Sequence, residues 1–165
     1  MIYNNKEAAK SYKKSKIETF SMYGFVGICY VCIVKGVGVY KSHEWLSLIG
    51  ALLVYISLVI NLYGRVVLQS NWSNQIRIRE DHHIVTDGPF KFVRHPLYTT
   101  TILMIYGAAM CYSNYVVIIL NTLIFIPVMK YRAKQEEVEL VKYLEGYNDY
   151  QDNVGMLFPK RRRKA

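Results

Sequence analysis

Nineteen consecutive residues without a charge, WLSLIGALLVYISLVINLY, occupy positions 45–63 and decide the fold. As an α-helix this run would be about 28 Å long at about 1.5 Å per residue, close to the roughly 30 Å hydrocarbon core of a bilayer. An uncharged run of this length predicts a membrane-spanning helix at about residues 45–64.

Three further apolar stretches extend the pattern to a polytopic protein. The predicted spans are residues 18–40, 45–64, 97–112 and 114–131. Only Ser113 and Asn114 separate the last two, and both residues favour turns, which predicts a helical hairpin. Pro127 predicts a kink in the fourth span. The chain of 165 residues is therefore predicted to be one all-α membrane domain, residues 1–165, with about four transmembrane helices.

The basic residues predict the orientation of these spans. Lysine and arginine are frequent before the first span, in the connection 64–97 and after the fourth span, whereas the opposite connections carry only Lys35 and Lys41. The positive-inside rule then places both termini and the C-terminal segment 132–165 in the cytoplasm. Attraction to anionic lipid explains the net charge of +9 better than nucleic acid does, because the basic residues border apolar segments. The polybasic end 160–164 is equally compatible with headgroup binding and with a disordered tail.

The cysteines and the paired histidines do not predict a metal site. Cys29, Cys32 and Cys111 all fall inside apolar segments, where packing explains them. His82 and His83 are neighbours in sequence and have no further carboxylate or cysteine at ligand spacing.

A polar run precedes the third span and another follows the fourth. Arg94 and His95 stand directly before the third span, and Arg94 is expected to anchor that helix end at the membrane interface. After the fourth span, Arg132 and Glu136 are four residues apart in a stretch of good helix formers, so they share one helix face. Taken alone, this pair is also compatible with an ordinary ion pair on a solvated helix.

In combination these runs resemble the signature of the integral-membrane methyltransferases, a group that includes isoprenylcysteine carboxyl methyltransferase and the phospholipid methyltransferases. The resemblance covers residues 71–159, over half of the chain. It rests on the following residues: Gln75, His82 to Val85, Gly88-Pro89-Phe90, Arg94-His95-Pro96-Leu97-Tyr98, Arg132, Glu136-Glu137, Leu140, Tyr147, Tyr150 and Phe158-Pro159.

The resemblance implies a site for S-adenosylmethionine between the cytoplasmic ends of the last two spans and the C-terminal segment, which completes it. Carried over residue by residue, the implied cofactor-binding residues are Gln75, His82, His83, Ile84, Val85, Phe90, His95, Pro96, Leu97, Tyr98 and Glu136. A carboxylate such as Glu136 suits the amino group of the cofactor, and donors such as His95 and Tyr98 suit its carboxylate and ribose. Arg132 is the implied catalytic residue, whose guanidinium would hold a substrate carboxylate or a lipid phosphate.

The function that follows is S-adenosylmethionine-dependent methyl transfer to a lipophilic acceptor at the membrane, such as an isoprenylcysteine carboxylate. Its expected partners are a lipidated substrate and membrane lipids, without nucleic acid or metal. Three alternatives stay open: a phospholipid N-methyltransferase, an NADPH-dependent sterol-type reductase and a non-enzymatic membrane scaffold. Phe90 departs from the tyrosine that family members often carry there, and the chain is short, so the acceptor is the least transferable feature.

Overall fold

The computed structural model describes residues 23–39, 44–68 and 84–160, apart from the side chain of Tyr143. Within these ranges the chain is helical, with two isolated backbone bridges and no strand, which agrees with the predicted all-α class. The α-helices are α1 (Tyr23–Val34), α2 (Glu44–Leu68), α3 (Pro96–Cys111), α4 (Tyr115–Leu120), α5 (Ile126–Tyr143) and α6 (Tyr147–Asn153). A short 3-10 helix covers Gly88–Lys91, and a π-helical turn covers Asn121–Phe125.

Two stretches of continuous helix are long and apolar enough to cross a membrane. They are Glu44–Leu68, and Tyr115–Lys142, which joins α4, the π-helical turn and α5. The described parts of α1 and α3 are shorter apolar helices. The predicted limit between the fourth span and the C-terminal segment, at residues 131 and 132, lies inside α5, so one helix carries the chain from the apolar bundle into the polar segment.

Helices α2 and α3 run antiparallel and touch backbone to backbone. A Cβ atom added to Gly50 would lie 2.6 Å from the carbonyl oxygen of Gly107, and one added to Gly107 would lie 2.7 Å from that of Gly50. Close approach of this kind requires small residues on both helices. The glycine pair therefore sets the distance between α2 and α3.

Polar side chains hold the same helix pair on either side of the glycines. The Ser47 hydroxyl donates to the Cys111 carbonyl at 2.9 Å, and the Asn61 amide donates to the Thr100 hydroxyl at 2.7 Å. In an apolar surrounding a polar group must find a partner within the protein, and these groups satisfy one another across the helix interface.

The other face of α2 carries large apolar side chains that the rest of the chain does not cover. Leu48 is 73% exposed, Tyr55 66% and Val66 69%. An uncovered apolar surface of this extent marks a membrane or protein contact, and a helix of 25 residues has the length to span a bilayer.

The turn between α3 and α4 is the tight hairpin that Ser113 and Asn114 predict. Ser113 adopts a φ of +47°, in the left-handed region. The Asn114 side chain then caps α4 by accepting a hydrogen bond from the Val117 N–H at 3.1 Å. The Asn114 amide also donates to the Cys32 carbonyl at 3.3 Å, which fixes the end of α1 on this hairpin.

The π-helical turn ends two residues before Pro127, for which the sequence predicts a kink. Proline has no N–H to donate, and its ring crowds the carbonyl of the preceding turn, which a wider turn relieves. Phe125 in this turn is buried and stacks on Phe25 of α1, with ring centroids 4.8 Å apart. The π-helical turn thus supplies a core contact to α1.

Candidate functional site

The candidate site lies where the start of α3, the middle of α5 and the C-terminal residues meet. The backbone N–H of Arg94 donates to the Gly155 carbonyl at 2.8 Å, and that of His95 donates to the Met156 carbonyl at 3.0 Å. The Thr99 hydroxyl donates to the Leu157 carbonyl at 2.8 Å. These hydrogen bonds hold residues 155–157 beside the first turn of α3.

Arg94 is buried in the centre of this junction. Its Nε donates to Oε1 of Glu137 at 2.7 Å and its Nη2 donates to Oε2 at 3.1 Å, which is the bidentate geometry that arginine favours. Its Nη1 donates to the carbonyls of Gln151 and Val154. The side chain is only 9% exposed, so the expectation that Arg94 anchors a helix end at the membrane interface is wrong: it holds α5 and the C-terminal residues together.

Glu137 is bonded by three residues from two segments. Besides Arg94, its carboxylate receives the Gln151 amide at 3.0 Å and faces Nε2 of His95 at 3.0 Å. We call Arg94, His95, Glu137 and Gln151 the buried network. Burial tends to raise the pKa of Glu137, but the hydrogen bonds from His95 and Arg94 outweigh it and hold that pKa below the usual carboxyl range.

His95 lies between two carboxylates. Its Nε2 faces Glu137, and its Nδ1 is 3.5 Å from Oε2 of Glu136. The ring is parallel to that of Tyr98, with centroids 5.5 Å apart. Burial tends to lower the pKa of His95, yet the bonds to Glu136 and Glu137 outweigh it and raise that pKa above the usual histidine value. Both imidazole nitrogens are therefore directed at glutamates.

Tyr98, Arg132 and Glu136 form a second group, which we call the open cluster. The Tyr98 hydroxyl donates to Oε1 of Glu136 and accepts from Nε of Arg132 at 2.9 Å. Arg132 also lies over the Tyr98 ring, 5.6 Å from its centroid, and 3.7 Å from the Glu136 carboxylate. The Glu136 side chain is 23% exposed, whereas that of Arg132 is 8% exposed. Glu136 is thus the more exposed of the two charged side chains in this cluster.

The Glu136 carboxylate is ionised across the physiological range. Burial tends to raise its pKa, but the bonds from His95 and Tyr98 and the charge of Arg132 hold the pKa of Glu136 below the usual carboxyl range. A fixed carboxylate beside a fixed guanidinium can bind a ligand that carries both a cation and an anion.

The remaining predicted site residues are placed as follows. Phe90 is buried, and its carbonyl accepts the Tyr150 hydroxyl at 2.6 Å, so it adjoins the C-terminal residues. Pro96 is buried in the first turn of α3, Leu97 is half-buried beside Gly64 of α2, and Ile84 and Val85 are half-buried. Gln75, His82 and His83 lie outside the described residues.

Sequence reasoning missed Glu137, Gln151 and Tyr150 as contributors to this region. Glu137 and Tyr150 belong to the signature that the chain resembles but have no implied role in the site, and Gln151 belongs to no motif. Burial of the Tyr150 hydroxyl raises its pKa to about 12, so it acts as a neutral donor to Phe90. Among the described residues, no group of three histidine, cysteine or carboxylate side chains could hold a metal ion.

Comparison with known proteins gives a consistent result. The model of the isoprenylcysteine carboxyl methyltransferase family matches residues 48–142. The protein-S-isoprenylcysteine O-methyltransferase of Schizosaccharomyces pombe is 33% identical over 76 residues, which are 46% of this chain and 32% of that protein. The protein of the same description from Xenopus laevis is 26% identical over 117 residues, 69% of this chain and 41% of that protein.

A solved structure shares the fold. It is that of the eukaryotic intramembrane Ras methyltransferase ICMT, with a TM-score of 0.65 and 25% identity, over 96% of this chain and 54% of that one. The chain thus spans between about a third and about half of the length of the relatives it matches.

Proposed function

This chain belongs to the isoprenylcysteine carboxyl methyltransferase family, and we propose that it transfers a methyl group from S-adenosylmethionine to the carboxylate of a prenylated cysteine. The observation that carries the proposal is the open cluster, in which a guanidinium adjoins a partly exposed carboxylate. Arg132 and Glu136 follow the predicted fourth span, where the chain becomes polar. A lipid-attached acceptor and a water-soluble donor would meet at such a boundary.

The residues of the open cluster fit S-adenosylmethionine by their chemistry. When bound, this cofactor supplies a methyl group activated by attachment to a cationic sulfonium. Glu136 is ionised, held by Tyr98 and partly exposed, so it offers a fixed carboxylate to the amino group of the cofactor. Tyr98, Pro96 and Leu97 would form the adjoining wall, and the half-buried Ile84 and Val85 and the buried Phe90 would supply apolar contacts to the adenine. Gln75, His82 and His83 remain predicted contacts from the sequence.

Arg132 is the group we assign to the substrate. Its guanidinium is held by the Tyr98 hydroxyl and ring, so its donors have a fixed direction. A guanidinium binds a carboxylate in a bidentate fashion, which a lysine could not reproduce. Arg132 would therefore orient the terminal carboxylate of the prenylated cysteine.

The contribution of the protein to the reaction is alignment and exclusion of water. With S-adenosylmethionine bound, methyl transfer would be a direct displacement: the carboxylate oxygen would bond to carbon as the carbon–sulfur bond breaks, and the electron pair would leave on sulfur. An ionised carboxylate needs no general base, so no proton has to move. Holding the two reactants in line in a buried site supplies most of the acceleration.

The proposed topology has four spans, near residues 18–40, 45–64, 97–112 and 114–131, in a single domain. Both termini, the connection 64–97 and the C-terminal segment 132–165 would lie on the cytoplasmic side, as the basic residues favour. The prenyl chain would enter between helices from the bilayer, and the cofactor would enter from the cytoplasm.

The proposed activity is tested by transfer of labelled methyl. Purified protein in lipid nanodiscs is incubated with methyl-labelled S-adenosylmethionine and either a small prenylated cysteine or phosphatidylethanolamine. We expect base-labile label, typical of a methyl ester, on the prenylated cysteine. Label on phosphatidylethanolamine alone would contradict the proposal and favour phospholipid N-methylation, whereas label on neither acceptor would contradict both.

Arg132→Ala separates the substrate role from the cofactor role. We expect turnover to fall by about a hundredfold or more, because a charge-assisted contact to the reacting group is lost, while the affinity for S-adenosylmethionine stays within about threefold. Lys134→Ala, two residues away on the exposed side of α5, is the matched control. Equal loss of affinity and turnover would reassign Arg132 to the cofactor.

A further inference from the structure

Two adjacent glutamates of α5 have opposite surroundings. Glu137 is buried and receives hydrogen bonds from Arg94, His95 and Gln151, so all of its acceptor positions face protein donors. Glu136 is 23% exposed and belongs to the open cluster. A ligand that reaches Glu136 therefore has no access to Glu137.

His95 connects the two carboxylates. Its Nε2 is 3.0 Å from Glu137 and its Nδ1 is 3.5 Å from Glu136, so one imidazole ring bridges the buried network and the open cluster. Stacking on the Tyr98 ring fixes the plane of the imidazole. With both nitrogens directed at glutamates, the imidazole would act on a ligand through Glu136, instead of through the direct contact that the resemblance implies for His95.

We propose that Glu137 and His95 are positioning residues of the methyl-transfer site: Glu137 fixes the imidazole, and the imidazole fixes the Glu136 carboxylate that receives the cofactor. This inference rests on the proposed function. It assigns to Glu137 an effect on cofactor affinity without any contact to the cofactor. Second-layer carboxylate and histidine pairs orient the ligands of other sites in the same way.

The groups that control the protonation of His95 come from each neighbouring segment. Glu136 and Glu137 face it from α5, Tyr98 faces it from α3, and Arg94 precedes it in the chain. Arg132 is 3.7 Å from Glu136, and Tyr147 interacts electrostatically with Glu137 and Glu136. Glu137 is thus one of only two carboxylates that the described residues place at the ring.

The test compares Glu137→Gln with Glu139→Gln in the full chain in nanodiscs. Glu139 lies two residues further along α5, is 30% exposed and pairs with Lys142, so it controls for loss of a carboxylate from this helix. S-adenosylmethionine affinity is measured by calorimetry from about pH 5 to about pH 9. We expect Glu137→Gln to weaken binding about tenfold or more and Glu139→Gln to leave it unchanged.

The pH profile separates positioning from a general loss of structure. Affinity is expected to fall at the alkaline side as His95 loses its proton and Glu136 loses a donor. Without the charge of Glu137, His95 loses its proton more readily, so the midpoint of this fall should move to lower pH by about one to three units. A substitution that only loosened the fold would lower the affinity for S-adenosylmethionine without moving the pH midpoint of its alkaline fall.

A second variant covers the case in which Glu137→Gln does not fold. Glu137→Asp keeps the charge but is one methylene shorter, so it cannot reach Arg94 and His95 as closely, and we expect an intermediate shift of the midpoint. Wild-type affinity and midpoint in the Gln variant, or a wild-type midpoint in the Asp variant, would overturn this inference while the proposed function stands. Failure of the wild-type chain to bind S-adenosylmethionine would overturn the proposed function instead.

Discussion

Single residues of α5 differ in role because a helix turns by about 100° per residue. Arg132 and Glu136, one turn apart, both reach Tyr98, whereas Glu137 points to Arg94 and Gln151. The Tyr98 hydroxyl contacts both charged members of the open cluster. It therefore couples the residue proposed for the substrate to the residue proposed for the cofactor.

Tyr98→Phe removes this shared atom and keeps the ring. Loss of a hydrogen bond to a charged group is worth about 1.5–3 kcal/mol, so we expect kcat/KM to fall by about ten- to a hundredfold. Tyr106→Phe is the matched control, because its hydroxyl bonds Thr122 at an exposed position, 2.7 Å away. Equal activity of both variants in the methyl-transfer assay would show that the Tyr98 hydroxyl has no part in the reaction.

The sequence predicted His95 and the members of the open cluster as site residues, but not the roles of Arg94 and Glu137. His95, Tyr98, Arg132 and Glu136 were named together from the sequence, and the structure brings them together. Glu137 and Arg94 were not understood, because the burial of a charge depends on partners that are distant in sequence. Arg94 and Glu137 are 43 residues apart, and Arg94 and Val154 are 60 apart. No local pattern encodes such a pair.

At the scale of elements, the contact between α2 and α3 depends on two glycines. Gly107→Ala would place a methyl group 2.7 Å from the Gly50 carbonyl, so the helices must separate. We expect a loss of about 1–3 kcal/mol in unfolding free energy, the usual cost of overpacking. The loss is measured by denaturant titration in detergent micelles.

Gly24→Ala is the control for this substitution. A Cβ at Gly24 meets nothing within 4 Å, and the residue lies in α1, so alanine should stabilise that helix by up to about 1 kcal/mol. A neutral result for Gly107→Ala would mean that α2 and α3 are not held at backbone contact.

The positions of α2, α3 and the hairpin after α3 could be predicted from the sequence, whereas the path of the chain after α5 could not. Apolar runs and the Ser113-Asn114 pair are local signals, and they predict α2, α3 and the hairpin to within a few residues. The path of residues 147–157 depends on hydrogen bonds to Phe90, Arg94, His95 and Thr99, which no local signal specifies. The π-helical turn is intermediate, since Pro127 indicates an interruption but not its form.

At the scale of the whole molecule, stability should depend on pH in a bell-shaped manner. The pKa values of Glu136 and Glu137 are lowered by folding, so their contribution is complete above about pH 4.3 and is lost as the pH falls through the folded pKa. The pKa of His95 is raised, so its contribution is complete below about pH 6.5 and is lost as the pH rises through the folded pKa.

The thermal unfolding midpoint should therefore be highest between about pH 4.5 and pH 6.5. His95→Gln removes the titrating imidazole and should abolish the alkaline decline while leaving the acid decline. A midpoint that declines equally in both proteins above about pH 6.5 would assign the loss to other groups.

The burial of Arg94 also sets an order of events during biosynthesis. Its acceptors at Gln151 and Val154 follow it by 57 and 60 residues, and Glu137 follows by 43. At a translation rate of about 5–20 residues per second, roughly 3–12 s pass between the synthesis of Arg94 and that of Val154. Until residue 137 is synthesised, the guanidinium lacks all of these acceptors, and until residue 154 it lacks some of them. The chain can complete this junction only after residue 154 has been synthesised.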